Sequence, residues 1–245
     1  MKFNELIKAP LANLYSMRTL ELVLSNLNLN KDDAVLEIGL GSGFETCILA
    51  KRSKEVVGID ISKELVEFLR KTLRLDNVKF YVLDATKELP NEFSGAFDKC
   101  ICLDVLEHVQ DPKALLNVIS KVLKVGGCLG MTLPISKEHG RTILTEEDVY
   151  ELFRGIGLST DIRIVKQNKF GSLLSKIHAK AQNAFKQMPR EANRFHETIA
   201  FEMLTHPRKM YWLYKLGIIL LFKLSAHTYH DDKSGKRALI VAQKV

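Results

Sequence analysis

Short apolar runs alternate with amphipathic stretches along the first two thirds of this 245-residue chain. The runs have the length of buried strands, and the stretches repeat apolar positions every three to four residues, as helices do. The predicted strands are 34–38, 55–59, 78–82, 99–103 and 128–133, and the predicted helices between them are 44–54, 62–75 and 112–124. This regular alternation favours a parallel sheet that is covered by helices on both faces.

The chain adds elements before and after this alternating block. An amphipathic pattern over 11–29 predicts an N-terminal helix, and residues 161–165 and 238–242 predict two more strands. The connection between these two strands, about 70 residues, is far longer than an ordinary loop. We therefore predict an α/β fold with a doubly wound, mostly parallel seven-stranded sheet and a helical insertion before the last strand. The predicted units are an N-terminal helical cap (1–30), a core (31–170), a basic and apolar helical insertion (171–235) and a final core strand (236–245).

The first predicted strand runs directly into a glycine-rich turn at 39–43. Glycines allow a backbone to approach a ligand closely, and a helix that follows such a turn offers free N–H groups. Three acidic residues accompany the turn: Glu37 lies two residues before it, and Asp60 and Asp84 follow the next two strands. Because the carboxyl ends of parallel strands meet at one edge of a sheet, these carboxylates are expected around one crevice. Such a crevice suits a ligand that carries an amine or a sulfonium better than it suits a pyrophosphate.

Six short motifs in a fixed order resemble those of class I S-adenosylmethionine-dependent methyltransferases. The motifs are Glu37-Ile-Gly-Leu-Gly-Ser-Gly43, Val57-Gly-Ile-Asp60, Asp84-Ala85, Phe97-Asp98, Asp104-Val-Leu-Glu-His-Val109 and Leu123-Lys-Val-Gly-Gly127. The sequence is most similar to the type 11 subgroup, which includes quinone-biosynthesis and small-molecule enzymes, over roughly 30–165 and the last strand. A dinucleotide dehydrogenase is the structural alternative, but its loop prefers Gly-x-Gly-x-x-Gly, and residue 44 here is Phe.

The resemblance implies a Rossmann-like methyltransferase fold with S-adenosylmethionine as the cofactor. It implies that the glycine turn and Glu37 hold the methionine part, that Asp60 holds the ribose, and that residues after the second and third strands hold the adenine. The implied cofactor-binding residues are Glu37, Gly39, Gly41, Ser42, Gly43, Asp60, Ile61, Asp84, Ala85 and Leu103.

The catalytic candidates follow the fourth predicted strand. Methyl transfer depends mainly on positioning, and a base is needed only for a weakly nucleophilic acceptor. Asp104 and His108 are the candidates for this role; the alternative is that Glu107 and His108 anchor the turn into the next helix. The same residues also resemble a Glu-x-x-Glu-His metal site, to which His139 could add a ligand. Because Asp104 replaces the first Glu and reaches less far, we expect no metal.

Positive charge is concentrated late in the chain. Residues 163–237 contain 15 Lys and Arg against 5 Asp and Glu, whereas the whole chain has a net charge of +7. Within this segment, 210–226 is strongly apolar, with Lys215 and Lys223 near one another on a helical wheel and Trp212 near its start. This pattern predicts that 208–226 lies on an anionic membrane surface. The alternatives are a lid over the active site, a homodimer contact or, least favoured by the pattern, an RNA-binding surface.

The sequence therefore predicts a methyltransferase that acts on an oxygen of a lipid, quinone or lipid-linked glycan precursor. A small-molecule methyltransferase with the insertion as its lid and an inactive cofactor-binding scaffold remain alternatives. The first 20 residues lack the apolar core of a signal peptide, so we expect a cytoplasmic protein, peripheral at the cytoplasmic face of the membrane. The fourth strand is not followed by the Asn/Asp-Pro-Pro-Tyr/Phe run of enzymes that methylate base amino groups, which argues against a nucleic-acid substrate.

Overall fold

A computed structural model describes residues 10–134, 146–167, 229–231 and 237–245. The helices are α1 (Pro10–Leu27), α2 (Phe44–Ala50), α3 (Lys63–Thr72), α4 (Pro112–Val122) and α5 (Glu146–Phe153). The strands are β1 (Ala34–Ile38), β2 (Glu55–Asp60), β3 (Val78–Val82), β4 (Phe97–Leu103), β5 (Leu123–Pro134), β6 (Leu158–Gln167), β7 (Tyr229–Asp231) and β8 (Arg237–Lys244). Two short 3-10 helices, Asn91–Phe93 and Leu106–His108, flank β4.

The strands form one sheet in the order β3-β2-β1-β4-β5-β8-β6-β7. The first five are parallel, and β8 pairs antiparallel with both β5 and β6. The predicted doubly wound, mostly parallel sheet is therefore confirmed. The order reverses between β1 and β4, and in such sheets the crevice for a ligand lies at this reversal, beyond the carboxyl ends of the strands.

The insertion differs from the prediction where it is described. The sequence predicts a helical insertion over 171–235. Within it, residues 229–231 form the strand β7, which pairs antiparallel with the end of β6. This short strand is an eighth member of the sheet. The remaining positions of the predicted insertion, 171–228 and 232–235, lie outside the described residues. No helix in the described part of the chain is long and apolar enough to cross a bilayer.

The glycine pair at 126–127, which the local pattern favours as the end of the predicted helix 112–124, lies within a strand instead. The helix α4 stops at Val122, and β5 begins at the next residue. The pairing of β4 with β5 shifts register at this point, and Gly126 adopts a left-handed φ of 80°. A Cβ on Gly127 would lie 2.9 Å from the Lys124 carbonyl oxygen, which only glycine avoids. The glycines therefore accommodate an irregular start of β5 and do not terminate α4.

The core consists of one apolar layer on each face of the sheet. Alternate residues of the central strands, such as Leu36 and Cys100, pack on the side of α4 and α5, whereas Val35 and Ile101 pack on the side of α1 and α2. Cys100 and Cys102 are both fully buried on the same face, as their spacing predicts, and all four cysteines are free. The continuous apolar runs of the sequence correspond to strands covered on both faces.

The sheet is bounded on one side by β3, which pairs only with β2 within the described residues. On its outer side, Arg70 from α3 donates a hydrogen bond from Nε to the Phe80 carbonyl oxygen, with an N–O distance of 3.1 Å. A second guanidinium nitrogen of Arg70 donates to the same oxygen. The helix α3 is fixed at its start by the Ser62 hydroxyl, which accepts a hydrogen bond from the Leu65 backbone N–H.

Candidate active site

A glycine-rich loop connects β1 to α2 at the carboxyl edge of the sheet. Gly39, Gly41 and Gly43 have φ angles of 81°, 49° and 75°, in the left-handed region that side chains rarely adopt. The Gly39 N–H donates to the Ile59 carbonyl oxygen at 3.0 Å, and the Gly43 N–H donates to the Leu40 carbonyl oxygen at 2.8 Å. The loop is therefore tied to the end of β2 and turns tightly before α2 begins.

The three glycines differ in what surrounds them. A Cβ on Gly39 would lie 2.4 Å from Cγ2 of Val105, and a Cβ on Gly43 would lie 2.7 Å from a methyl group of Leu69. A Cβ on Gly41 would meet no protein atom within 4 Å. The outer two glycines are therefore required by packing, whereas Gly41 borders open space into which a ligand can approach the backbone.

The Asp60 carboxylate holds this loop in place. One oxygen, Oδ2, accepts a hydrogen bond from the Leu40 N–H at 3.0 Å, and Oδ1 accepts one from the Ser62 N–H at 2.8 Å. Between them, Ile61 leaves 73% of its surface exposed, although it is a large apolar residue. An exposed isoleucine beside a fixed carboxylate is suited to an apolar ring of a ligand whose hydroxyl groups face Asp60.

Glu37 is a buried carboxyl group under the loop, and 2% of its surface is exposed. Its Oε2 accepts a hydrogen bond from the Thr46 hydroxyl, with an O–O distance of 2.6 Å. Burial raises the pKa of Glu37 well above its ordinary value of 4.5, although the Thr46 hydrogen bond opposes this rise. Because a positive ligand favours the ionised carboxylate, this group fits a ligand that carries an ammonium or sulfonium charge.

Asp84 extends the site to the end of β3. The Leu83 N–H donates to the Asp60 carbonyl oxygen at 3.0 Å, which brings the two strand ends together. Hydrogen bonds from the Thr86 hydroxyl and N–H to Asp84 lower the pKa of this carboxyl group, so it is ionised at neutral pH. Ala85 is partly buried against the core, and Ser42 is half-buried in the loop. The loop, Asp60 and the Asp84 turn thus lie next to one another at the carboxyl edge of the sheet.

The end of β4 borders the same loop, because Val105 packs against Gly39. Leu103, the last residue of β4, is half-buried. Asp104 follows with a left-handed φ of 53° and is held by Thr132 of β5. The Asp104 N–H donates to the Thr132 carbonyl oxygen at 2.9 Å, and the Thr132 hydroxyl donates to Oδ1 of Asp104 at 3.0 Å. The Asp104 carboxylate therefore has a defined orientation next to the glycine-rich loop.

His108 and Glu107 occupy different environments. The His108 side chain is 68% exposed, whereas the Glu107 side chain is 5% exposed. The distance from Nε2 of His108 to Oε1 of Glu107 is 4.0 Å, the outer limit of an ion pair. Within the part of the chain that the structure describes, no group of three or more His, Cys, Asp or Glu side chains is arranged to hold a metal ion. His139, the fourth candidate ligand, lies outside that part.

Two threonines contribute to the site although sequence reasoning did not select them. Thr46 orients Glu37, and Thr132 orients Asp104; both are fully buried. The sequence contains one signal for them, because each is a polar residue on a face that packs against the core and therefore needs a hydrogen-bond partner. The sequence alone does not reveal which carboxyl group each hydroxyl binds, since both partners come from other elements.

Comparison with known proteins gives one match to a family and several to individual relatives. A family model described as a methyltransferase domain matches residues 29–199. A ubiquinone biosynthesis O-methyltransferase of Xanthomonas campestris is 34% identical over 96 residues, which are 39% of this chain and only 40% of that protein's length.

Among the solved structures that are similar to this chain, two match over 93% of its length. The cyclase SpnF has a TM-score of 0.62 at 21% identity, over 93% of this chain and 80% of its own. The phosphoethanolamine N-methyltransferase 2 of Haemonchus contortus, solved with phosphomonomethylethanolamine and S-adenosylhomocysteine, has a TM-score of 0.59 at 17% identity. This match covers 93% of this chain and 52% of that one. At these identities the structural matches establish the fold only.

Proposed function

Because the chain belongs to the methyltransferase-domain family, we propose that it uses S-adenosylmethionine to methylate an oxygen of a lipid, quinone or lipid-linked glycan precursor at a membrane surface. The observation that carries this proposal is the Asp104 carboxylate, which Thr132 orients beside the glycine loop. A fixed carboxylate is suited to accept the proton of a hydroxyl group as its oxygen is methylated. The O-methyltransferase relative supports an oxygen acceptor, and the apolar, basic pattern of 208–226 supports a membrane-bound one.

The residues around the loop fit the cofactor. S-adenosylmethionine would supply a methyl group bonded to a positively charged sulfur, and transfer of that methyl group to an acceptor would leave S-adenosylhomocysteine with a neutral sulfur. Glu37 offers a buried carboxyl group, whose ionised form the positive methionine part would favour, and the open space at Gly41 lets that part approach the backbone. Asp60 is fixed to accept hydrogen bonds from the ribose, and Ile61 offers an apolar surface to the adenine ring.

The acceptor side needs positioning and a proton acceptor. Asp104 is the better placed of the two candidates, since its carboxylate is held in one orientation. His108 is more exposed and is the second candidate, with access to a proton on the solvent side. Either group would take the acceptor hydroxyl proton, so that the attacking oxygen carries more negative charge when the methyl group arrives.

The acceptor class is tested with labelled methyl groups. Methyl transfer from S-adenosylmethionine is measured to a catechol with a short prenyl tail in vesicles, and to the same catechol without the tail in water. Transfer to the prenylated catechol alone is the expected result. Equal transfer to both would favour the small-molecule methyltransferase, and cofactor binding without transfer to catechols or to a lipid extract would favour the inactive scaffold.

The membrane surface is tested separately by co-sedimentation with vesicles. We expect salt-sensitive binding to vesicles of anionic lipid, weak binding to neutral vesicles, and loss of binding in Lys215→Glu/Lys223→Glu. The matched control is Lys51→Glu/Lys113→Glu, which changes the net charge equally at exposed positions of α2's end and α4. Equal loss in both double variants would mean that only total charge matters, and the proposed surface at 208–226 would be wrong.

A further inference from the structure

Asp104 has an unusual backbone conformation for a residue other than glycine. Only it and Asn28 have a positive φ among the non-glycine residues that the structure describes. Left-handed conformations are strained for residues with a Cβ, and aspartate and asparagine tolerate them best. Strain of this kind persists where the surrounding structure holds it, and it is concentrated at functional sites. The contacts that hold Asp104 therefore indicate what the conformation is for.

Thr132 makes both of these contacts from the neighbouring strand. Leu103 pairs with Thr132 in the register of β4 and β5, so the turn at Asp104 begins directly beside it. The backbone carbonyl of Thr132 accepts the Asp104 N–H, and its hydroxyl donates to the carboxylate, at 2.9 Å and 3.0 Å respectively. The Thr132 side chain is fully buried, where a hydroxyl group is costly unless it has a hydrogen-bond partner. Packing alone would be served equally well by valine.

The same turn is fixed on its other side by the cofactor loop. Val105 follows Asp104, and its Cγ2 occupies the space that a Cβ on Gly39 would need. The carboxylate is thus held between β5, through Thr132, and the loop that borders the cofactor, through Val105. A shift at Thr132 would move the carboxylate relative to the cofactor without altering the loop itself.

We infer that Thr132 is a positioning residue that aims the Asp104 carboxylate at the hydroxyl group of the methyl acceptor. This inference rests on the proposed function. In the step concerned, the acceptor oxygen forms a bond to the methyl carbon as the carbon–sulfur bond breaks and its electron pair remains on sulfur. The acceptor proton passes to the Asp104 carboxylate. Thr132 does not touch the acceptor; it fixes the distance and direction over which the proton moves.

The experiment compares Thr132→Val, which keeps the shape and removes the hydroxyl, with Thr132→Ser, which keeps the hydroxyl. Methyl transfer to the prenylated catechol and to its tail-free form gives kcat and KM, and calorimetry with S-adenosylhomocysteine gives the cofactor Kd. Thr132→Val is expected to lower kcat by about 10- to 100-fold, the size of one lost hydrogen bond to a charged group or a small misplacement. The cofactor Kd and the KM are expected to change by less than about threefold, and Thr132→Ser should restore most of kcat.

A double-mutant cycle separates this role from a purely structural one. Asp104→Asn keeps a residue that tolerates the left-handed φ and removes the negative charge. In that background, Thr132→Val is expected to cause little further loss of kcat. The inference would be overturned if the kcat losses of the two single variants multiplied in the double variant. It would also be overturned if Thr132→Val and Thr132→Ser lost kcat equally, or if Thr132→Val left kcat unchanged. A wild-type protein that methylates neither catechol would overturn the proposed acceptor and this inference together, whereas an active wild type with an unaffected Thr132→Val would overturn the inference alone.

Discussion

The open space at Gly41 gives a direct test of the cofactor site. Gly41 and Gly95 both have a left-handed φ, at 49° and 60°, and a Cβ on either would meet nothing within 4 Å. Gly95 lies before the start of β4, at the edge of the sheet away from the loop, and therefore serves as a matched control. Gly41→Ala and Gly95→Ala should carry the same conformational strain, and only the first should obstruct a ligand.

The expected magnitudes follow from these two geometries. A left-handed alanine costs about 1–2 kcal/mol, which lowers the Tm of a protein of this size by about 2–8 °C in both variants. At Gly41 the added methyl group also occupies space that the cofactor needs, and overpacking of this kind costs about 1–3 kcal/mol. The dissociation constant of Gly41→Ala should therefore rise by about 5- to 150-fold, while that of Gly95→Ala stays within about twofold of the wild type.

The measurement combines thermal unfolding with calorimetric titration of S-adenosylhomocysteine. The Tm reports the backbone strain in each variant, and the dissociation constant reports whether the added methyl group obstructs the ligand. If the two variants bind the cofactor equally well, the space over Gly41 is not part of the cofactor site, and the interpretation of the loop is refuted. A fall in Tm limited to Gly41→Ala would instead show that the two glycines are not comparable in strain.

Three further predictions concern the carboxyl groups of the site. Burial raises the pKa of Glu37, so the folded protein keeps a proton on this carboxyl group that the unfolded chain releases near the ordinary pKa of 4.5. The protonated Glu37 therefore contributes to stability in acid, and this contribution is lost as the pH rises through the raised pKa. A positive cofactor favours the ionised form of Glu37, so cofactor affinity should increase as the pH rises through the same range, and binding should release a proton. Calorimetry in buffers of different ionisation heat measures this release. The Glu37→Gln variant should bind with an affinity that does not depend on pH, and the same result for the wild type would contradict the prediction. Thr46→Val removes the hydrogen bond that opposes the raised pKa of Glu37, so the increase in cofactor affinity should occur at higher pH in this variant. Thr46→Ser keeps a hydroxyl group and should show the pH dependence of the wild type. If the pH dependence is the same in Thr46→Val and the wild type, Thr46 has no effect on the carboxylate. The side chain in Asp60→Asn can accept only one of the two backbone hydrogen bonds, so this variant should weaken cofactor binding at least about tenfold. The control Asp111→Asn, at the N-cap of α4, should change cofactor binding and Tm little, because asparagine caps a helix as well as aspartate does. Equal effects of the two variants would contradict the assignment of Asp60.

Much of the fold follows from periodicity alone. β1 and β2 are buried along almost their whole length, so their sequences are apolar runs that stand out between amphipathic helices, whereas the outer strand β3 is partly exposed. The positions of Glu37, Asp60 and Asp84 are predictable for a related reason, because the carboxyl ends of parallel strands meet at one edge. The predicted helix 44–54 was four residues too long at its end, since α2 stops at Ala50 and the chain turns there toward β2.

The rest depends on contacts between elements that are distant in sequence. The Thr132–Asp104 pair joins residues 28 positions apart, and its geometry exists only once β5 lies beside β4. The early start of β5 has the same origin, since Leu123 pairs with Phe97 and the glycines absorb a shift in register. Local pattern treats Gly126 and Gly127 as a helix end because it cannot detect the neighbouring strand.

The guanidinium of Arg70 has a consequence for how this protein behaves at high concentration. An outermost strand offers unpaired N–H and C=O groups, to which a strand of another molecule can add, and such addition starts aggregation. Arg70 occupies the Phe80 carbonyl oxygen with two hydrogen bonds and places a positive charge along this border. A second molecule would have to displace the arginine and bury its charge before it could extend the sheet from β3. One side chain of α3 thereby opposes the pairing of a second molecule with this border of the sheet.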